Sequence, residues 1–336
     1  MPLPQPSASR VAVVYNPVKT DGAELRRIVD ERAPRHGWTE VLYRETTPDD
    51  PGEGVTRGLV ADGVGLVLAV GGDGTVREVA AGLAHSGVPM GIVPRGTGNL
   101  LARNLAIPVD DLGAAVGIAL GGRTRTMDIG EVAFTDGEGE HHEGVFLVML
   151  GAGMDADMIA GTDSRLKARV GWPAYVGAFA NTLLSGHRIK VEYGVDGSER
   201  SYSHTRSLLV ANCGTLQGGM VLLPDAQIDD GLLDVLALRP KGVLGWVQAS
   251  YVVLVEHTFL QRLERMRRLG VHLPELRRTR GSESARPLDF RQGREMECVV
   301  LEEPAPFQVD GEDIGTVSEF TARIRQRGLS VRVALR

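Results

Sequence analysis

Gly71-Gly72-Asp73-Gly74-Thr75 is the most informative stretch of this chain. It follows the apolar run 66–70 and precedes a segment with helical spacing, residues 76–84. A buried strand that ends in glycines and continues as a helix directs free backbone N–H groups at one point, where an anion can bind. The stretch therefore predicts a phosphate site, with Thr75 as helix cap or phosphate ligand and Asp73 as a candidate ligand for Mg2+.

An ordinary turn explains the same five residues equally well, because Gly and Asp are common turn residues. The stretch does not match the P-loop, which needs Gly-Lys-Ser/Thr, or the dinucleotide pattern G-x-G-x-x-G. The motif by itself leaves phosphate binding and a plain turn as equal alternatives.

The surrounding sequence alternates between short apolar strands and helical segments. Repeated β-α units predict a parallel sheet with helices on both faces, and ligands bind such sheets at the carboxyl ends of the strands. Two more turns, residues 15–22 and 94–99, follow predicted strands and would open on the same sheet edge, which favours the phosphate site. The predicted strands are 11–15, 40–43, 65–70 and 90–93, and the predicted helices are 23–33, 55–61, 76–84 and 100–104.

From about residue 123 the pattern changes to strands separated by turn residues, which predicts a mainly antiparallel β-sandwich. Helices are predicted at 166–184 and 243–269 within it. The last strand, 329–335, could pair with either domain on pattern alone. Residues 1–10 contain prolines and serines without an apolar core, so we expect a disordered N-terminus and not a signal peptide.

Composition limits the class of protein. The chain has 336 residues, a net charge of −6 and 5% aromatic residues, which indicates about two domains and argues against nucleic-acid binding. Its two cysteines, Cys213 and Cys298, lie in apolar contexts and are expected to be buried free thiols in a cytoplasmic protein. Residues 242–260 contain Gln248, Glu256 and His257 and are predicted to form an amphipathic or buried helix and not a membrane span. The basic stretch 261–294 is interpreted as a solvated face, with contact to an anionic membrane as the alternative.

Several spaced motifs together resemble the diacylglycerol kinase catalytic family, which includes bacterial soluble lipid kinases and sphingosine kinases. The resemblance covers about residues 11–335. It implies an N-terminal nucleotide-binding α/β domain with a parallel sheet and a C-terminal, mainly antiparallel β-sandwich, with the active site between them. The matching motifs are Asn16-Pro17, Gly71 to Thr75 with Glu78, Pro94-x-Gly96-Thr97-Gly98-Asn99, Gly151 to Ala156, Pro224-x-Ala226, Asp230 to Asp234, and Val309-Asp310-Gly311-Glu312.

The resemblance implies a role for each matching residue. Glu312 corresponds to the general base, with a surface turn as the alternative. Asp310 and Asp128 correspond to acidic residues that hold water or, with Asp73, a catalytic Mg2+; a structural hydrogen-bonding role is the alternative for Asp128. Asp230, with the carbonyl groups of Gln227 and Leu232, corresponds to a structural Mg2+ site, for which a simple turn is an equal alternative. The residues expected to bind ATP are Asn16, Pro17, Val18, Lys19, Thr20, Thr46, Gly72, Asp73, Gly74, Thr75, Glu78 and Thr97.

Two departures from the family pattern stand out. The usual Asn-Pro-x-Ser-Gly is Asn16-Pro17-Val18-Lys19-Thr20 here, although Lys19 and Thr20 can still contact phosphate. The acid that often follows the second motif is replaced by Leu100, so no role for it carries over.

These observations predict a kinase that transfers the γ-phosphate of ATP to a lipid hydroxyl, with diacylglycerol as substrate and Mg2+ as cofactor. The ATP-binding domain would comprise 11–125 and a C-terminal strand, 320–336, and the lipid-substrate domain 126–319. The enzyme would be cytoplasmic and peripheral to the membrane, with a homodimer left open and an acyl cleft near residues 151–156 and 172–184. The alternatives are a kinase for a sphingoid base or similar lipid, an NAD kinase, or a regulator that binds lipid or nucleotide without turnover.

Overall fold

The computed structural model describes residues 7–153, 188–216, 221–239 and 288–335. The helices predicted at 166–184 and 243–269, the acyl cleft beyond residue 153 and most of the basic stretch lie outside the described residues. Among the helices that are described, none is long and apolar enough to cross a membrane.

The first part of the chain alternates strands and helices, as the sequence predicts. β3, β4 and residues 11–15 of β1 are apolar and almost completely buried, as expected for parallel strands covered on both faces. The parallel strand order is β4-β3-β1-β2. The elements are β1 (Ser7–Tyr15), α1 (Gly22–Arg32), a 3₁₀ helix (Ala33–His36), β2 (Glu40–Glu45), α2 (Glu53–Ala61), β3 (Val64–Gly71), α3 (Asp73–Leu83), β4 (Met90–Pro94), α4 (Leu100–Asn104) and α5 (Leu112–Gly121).

Two local details differ from the expectations. Residues 7–10, expected to be disordered, belong to β1, where Ser7 pairs with Val64 and Arg10 with Glu40. Backbone pairing to both neighbouring strands orders this segment in spite of its polar composition. Helix α5 was not predicted from the sequence. Its start is marked by the N-cap residue Asp111, whose side chain accepts from the backbone N–H of Ala114 at 2.9 Å.

The remainder of the chain is β-rich and antiparallel. Its strands are β5 (Arg123–Asp136), β6 (His141–Phe146), β7 (Met149–Ala152), β8 (Ile189–Val195), β9 (Ser201–Thr205), β10 (Ser207–Ala211), β11 (Leu233–Leu238), β12 (Leu288–Gly293), β13 (Glu295–Val300), β14 (Ala305–Val309) and β15 (Glu312–Val333). One layer has the order β12-β11-β10-β7-β14, and β8 and β13 pair in the other. A second apolar core, with Leu150, Val210, Tyr193 and Phe320 among its members, fills the space between the layers. The predicted α/β plus β-sandwich class is confirmed.

β15 joins the two halves of the molecule. Its first residues pair with β14, its middle with β13 and β5, and Val331 near its end pairs in parallel with Met90 of β4. Because β15 is continuous from Glu312 to Val333, the predicted boundary at 319/320 falls inside one strand. The division at 125/126 likewise falls inside β5, and both boundaries remain predictions.

Candidate active site

The glycine stretch lies at the carboxyl end of β3 and forms the start of α3. The Gly71 carbonyl accepts from the Arg95 backbone N–H at 2.7 Å, which joins this loop to the loop after β4. A Cβ on Gly96 would lie 2.6 Å from the Cα of Gly72, so the two loops touch at positions where a side chain would not fit. Thr75, in the first turn of α3, is buried and packs over Gly71.

Asp73 strengthens the connection between these loops. Its Oδ1 accepts from the Leu100 backbone N–H at 2.6 Å, at the start of α4, while Asn99 holds a left-handed conformation at φ 49°. Desolvation raises the pKa of Asp73 to about 6, against the lowering effect of the Leu100 hydrogen bond. Thr97, expected at the nucleotide, lies in the same loop between β4 and α4.

The loop after β1 lies beside the glycine stretch. The Asn16 backbone N–H donates to the Val70 carbonyl at 3.1 Å, and its Oδ1 accepts from the Val18 N–H at 2.9 Å. Lys19 directs its Nζ towards Gly72, where a Cβ would be 3.2 Å away. Thr20 is buried, and its Oγ1 has no hydrogen-bond partner in the described parts of the chain.

Thr46 completes this edge. It is buried just after β2, and its backbone N–H donates to the Tyr15 carbonyl at 2.9 Å. Pro17 and Val18, in the loop after β1, are exposed, Val18 at 92%. The loops after all four parallel strands thus meet at one edge, with glycines and backbone N–H groups but little side-chain bulk.

Glu312 reaches this edge from the β-rich part of the chain. It begins β15, and its carboxylate lies against the Cα of Gly74, so any Cβ at residue 74 would overlap it. The Arg77 guanidinium of α3 binds this carboxylate, with 2.9 Å between Nη2 and Oε2, and donates from Nη1 to the Val309 carbonyl at 3.0 Å. Glu78, next to Arg77 at 3.5 Å, has a pKa raised mainly by desolvation.

Sequence reasoning missed Arg77. The one available signal was its position four residues after Asp73, which puts it one helical turn from the predicted phosphate site. Nothing in the sequence indicated its partner, because Arg77 and Glu312 are 235 residues apart.

Asp310 is buried directly behind Glu312. Its Oδ1 accepts from the backbone N–H groups of Val148 and Met149 at 2.8 and 3.0 Å, and its Oδ2 accepts from that of Leu147 at 2.9 Å. Desolvation raises the pKa of Asp310, although Arg77 and these N–H groups act in the opposite direction. This carboxylate fastens the β14–β15 turn to the segment before β7 and is not exposed at the cleft.

The other acidic residues predicted to bind metal lie at a different place. Asp128 is buried and accepts from the backbone N–H groups of Gly231 at 2.6 Å and Arg327 at 2.7 Å. Asp230 accepts from the Leu232 N–H at 3.0 Å, in the turn that also contains Gln227. Within the described ranges, no group of three Asp, Glu, His or Cys residues is arranged to hold a metal ion.

The carboxylates around Arg77 nevertheless suit a Mg2+–nucleotide complex. Asp73 feels the negative charges of Asp310 and Glu312, and Glu78 lies beside them. Because Asp310 accepts from three backbone N–H groups and Glu312 is paired with Arg77, Asp73 and Glu78 are the carboxylates left here with oxygens of the kind that Mg2+ prefers.

Comparison with known proteins gives a consistent picture. Two family models match, the diacylglycerol kinase catalytic domain at residues 10–132 and the YegS C-terminal NAD kinase β-sandwich-like domain at residues 148–332. The chain is 27% identical over 251 residues to a diacylglycerol kinase of Bacillus subtilis, covering 73% of this chain and 78% of that protein. It is 31% identical over 240 residues to a protein of Pseudomonas aeruginosa described as a probable YegS-like lipid kinase, covering 70% and 74%.

The fold has a solved counterpart. The crystal structure of a diacylglycerol kinase from Bacillus anthracis str. Sterne matches with a TM-score of 0.65 and 17% identity, covering 97% of each chain. The match extends over both parts of the molecule and supports the described architecture.

Proposed function

The chain belongs to the lipid kinase family that pairs a diacylglycerol kinase catalytic domain with a YegS-type C-terminal domain, and from this premise we propose that it converts diacylglycerol to phosphatidic acid. Members of this family are phosphotransferases with an alcohol acceptor, and the family implies ATP as the donor. The choice of diacylglycerol rests on the family and on the relatives' names. One observation carries the phosphate transfer itself: the Glu312 carboxylate lies over Gly74, at the helix N-terminus where the transferred phosphate would sit.

The nucleotide would occupy the edge where the parallel strands end. Backbone N–H groups of residues 72–75 and the positive end of the α3 dipole would face the phosphates, which little side-chain bulk obstructs. Lys19 would add a cation, and the Thr20 hydroxyl, which has no hydrogen-bond partner among the described residues, would add a hydrogen-bond donor. Because Gly72 and Gly96 touch without side chains, the phosphates could approach the backbone of both loops closely.

Glu312 would act as general base. It would take the proton of the lipid hydroxyl while that oxygen forms a bond to the γ-phosphorus, and the bond from phosphorus to the β,γ-bridging oxygen breaks to release ADP. Asp310, held by three backbone N–H groups, would keep the base-bearing turn in place.

Mg2+ would be held near Asp73 together with the nucleotide and would neutralise charge on the phosphates. The neighbouring carboxylates of Asp73 and Glu78 support this assignment, because Mg2+ prefers such oxygen ligands. The structural site at Asp230, Gln227 and Leu232 remains a separate proposal, supported by the oxygen donors in that turn. Asp128 is better explained by its two backbone hydrogen bonds.

The β-rich part of the chain would receive the lipid, with residues 11–125 and the chain end as the nucleotide domain. A lipid acceptor resides in a bilayer, so the enzyme would work at a membrane surface as a peripheral protein. The acyl-chain site falls partly on residues outside the described ranges.

The test is phosphate transfer from radiolabelled ATP to vesicles that contain diacylglycerol, monoacylglycerol or a sphingoid base, with chromatographic identification of the labelled product. We expect labelled phosphatidic acid. Glu312→Gln should lower kcat by about 10²–10⁴-fold with little change in KM for ATP, because only the base is lost. The matched control Glu303→Gln, at an exposed position, should leave the rate unchanged.

Two outcomes would count against the proposal. No labelled lipid with any vesicle would remove the kinase assignment, and a label only on the sphingoid base would change the substrate. A Glu312→Gln variant with the wild-type rate would remove the base assignment alone.

A further inference from the structure

We propose that Arg77 is the positioning residue for Glu312, holding the base at its working distance from the phosphate site and tying the two halves of the molecule together there. The inference rests on the proposed function of the cleft and deepens it. Arg77 makes contacts that join α3 to the β14–β15 turn across the cleft.

Arg77 uses two separate nitrogens on two points of that turn. Nη1 donates to the Val309 carbonyl at 3.0 Å, and Nη2 binds the Glu312 carboxylate at 2.9 Å. A planar guanidinium holds two acceptors in fixed relative directions, which an ammonium group cannot do. Arg77 therefore constrains both the backbone of the turn and the side chain that the turn carries.

The Arg77 side chain is 12% exposed, whereas that of Glu312 is 42% exposed. An ion pair gains strength when one partner is largely removed from water, because solvent screening is reduced. Without Arg77, the Glu312 side chain would have several rotamers in open solvent and would leave the position over Gly74. The contact thus selects one orientation of an otherwise mobile carboxylate.

Arg77 and the phosphate site are parts of the same rigid helix. α3 begins at Asp73, with the N–H groups of its first turn directed at the proposed phosphate, and Arg77 lies about one turn further along. The distance from base to phosphate is then set by one short helical segment and one side chain. Catalysis is sensitive to this distance, since a displacement of about 1 Å can cost about 10²-fold in rate.

Arg77 is not available as a phosphate ligand in this arrangement. Its neighbours are acidic: Glu312, Glu78 at 3.5 Å, and Asp310, where the charge of Arg77 opposes the desolvation that raises the pKa. Both of its terminal nitrogens bind residues of the β14–β15 turn. A positioning role therefore predicts an effect on turnover and not on nucleotide affinity.

The test is a double-mutant cycle in the full-length protein, with Arg77→Met, Glu312→Gln and the double variant, measured as kcat and KM for ATP with diacylglycerol vesicles. We expect Arg77→Met to lower kcat by about 10²-fold, as for a base displaced by about 1 Å. KM for ATP should stay within about twofold, and the double variant should be no slower than Glu312→Gln by more than about twofold, because Arg77 acts only through the base.

Arg77→Lys is the second variant, for use if Arg77→Met does not fold. Lysine keeps the positive charge but loses the planar guanidinium that binds two acceptors at once. We expect it to show a kcat between those of wild type and Glu312→Gln. Arg323→Met removes an exposed ion pair to Glu295, 2.7 Å long, and is the matched control, with unchanged kcat. Urea unfolding of each variant separates lost folding from lost turnover.

Additive losses in the double variant, or a raised KM with unchanged kcat, would overturn the positioning role while the kinase assignment stands. A wild-type rate for both Arg77 variants would do the same. A wild-type protein that labels no lipid would overturn the proposed function and this inference together, so the two failures are distinguishable.

Discussion

The carboxylate of Glu312 lies against the Cα of Gly74, so that a methyl group at residue 74 would overlap both carboxylate oxygens. Gly74 belongs to the helix that starts at the glycine stretch, and Glu312 is the first residue of the long final strand. This contact brings the candidate base to the candidate phosphate site, and it leaves no room for a side chain at residue 74 while Glu312 holds this position.

Gly74→Ala should separate stability from activity. Alanine is the better helix former, so the free energy of unfolding should stay the same or rise by about 0.5 kcal/mol. The half-exposed Glu312 side chain would move away from the new methyl group, and kcat should fall by about 10²-fold. Gly58→Ala in α2, where a Cβ would have no neighbour within 4 Å, is the control and should leave kcat unchanged. A fully active Gly74→Ala would contradict the described contact.

Asp73→Asn should change how stability depends on pH in the absence of nucleotide and Mg2+. Because burial raises the pKa of Asp73 from 3.8 to about 6, the folded protein keeps a proton that the unfolded chain has lost between these pH values. Wild-type stability should therefore fall as pH rises from about 4 to 6, by up to about 2 kcal/mol. The Asp73→Asn variant should lack this slope and be the more stable protein at pH 8. Urea unfolding across pH 4–8 measures both, and parallel curves would refute the expectation.

Lys19→Ala should weaken nucleotide binding without changing the chemical step. Its Nζ lies beside Gly72, and a charge-assisted hydrogen bond to phosphate contributes about 1.5–3 kcal/mol, so KM for ATP should rise by at least about 10-fold. Arg27→Ala removes the same charge from an exposed position of α1 and should have no effect. An unchanged KM would place the phosphates elsewhere.

Asp128→Asn should act on stability alone. Its two oxygens accept from the Gly231 and Arg327 N–H groups, and an amide nitrogen facing one of these donors would cost about 1–3 kcal/mol. The kcat per folded molecule and its dependence on Mg2+ concentration should match wild type. A shifted Mg2+ requirement would restore the metal role that the family resemblance implied for Asp128.

Much of the first half of the molecule could be predicted from local sequence. Apolar runs that end in glycine turns specify parallel strands and their carboxyl-end loops, because the conformation depends on neighbouring residues. The three predicted loops after β1, β3 and β4 do meet at one edge of the sheet. Two local predictions differ from the structure. β1 begins at Ser7, earlier than its polar first residues suggested, and α5 was not predicted.

The positions of the side chains in the candidate site depend on contacts between residues far apart in the sequence, which no local sequence pattern predicts. Arg77 meets Glu312 across 235 residues, and Asp310 turns inward to three backbone N–H groups instead of facing the cleft. The family resemblance implied active-site roles for Asp310 and Asp128, with a structural hydrogen-bonding role as the alternative for Asp128, and in the structure both carboxylates accept from backbone N–H groups. Glycine stretches indicate a phosphate site because backbone geometry is a short-range property. Which carboxylate reaches that site, and which is bound inside the protein, depends on how β15 packs against α3.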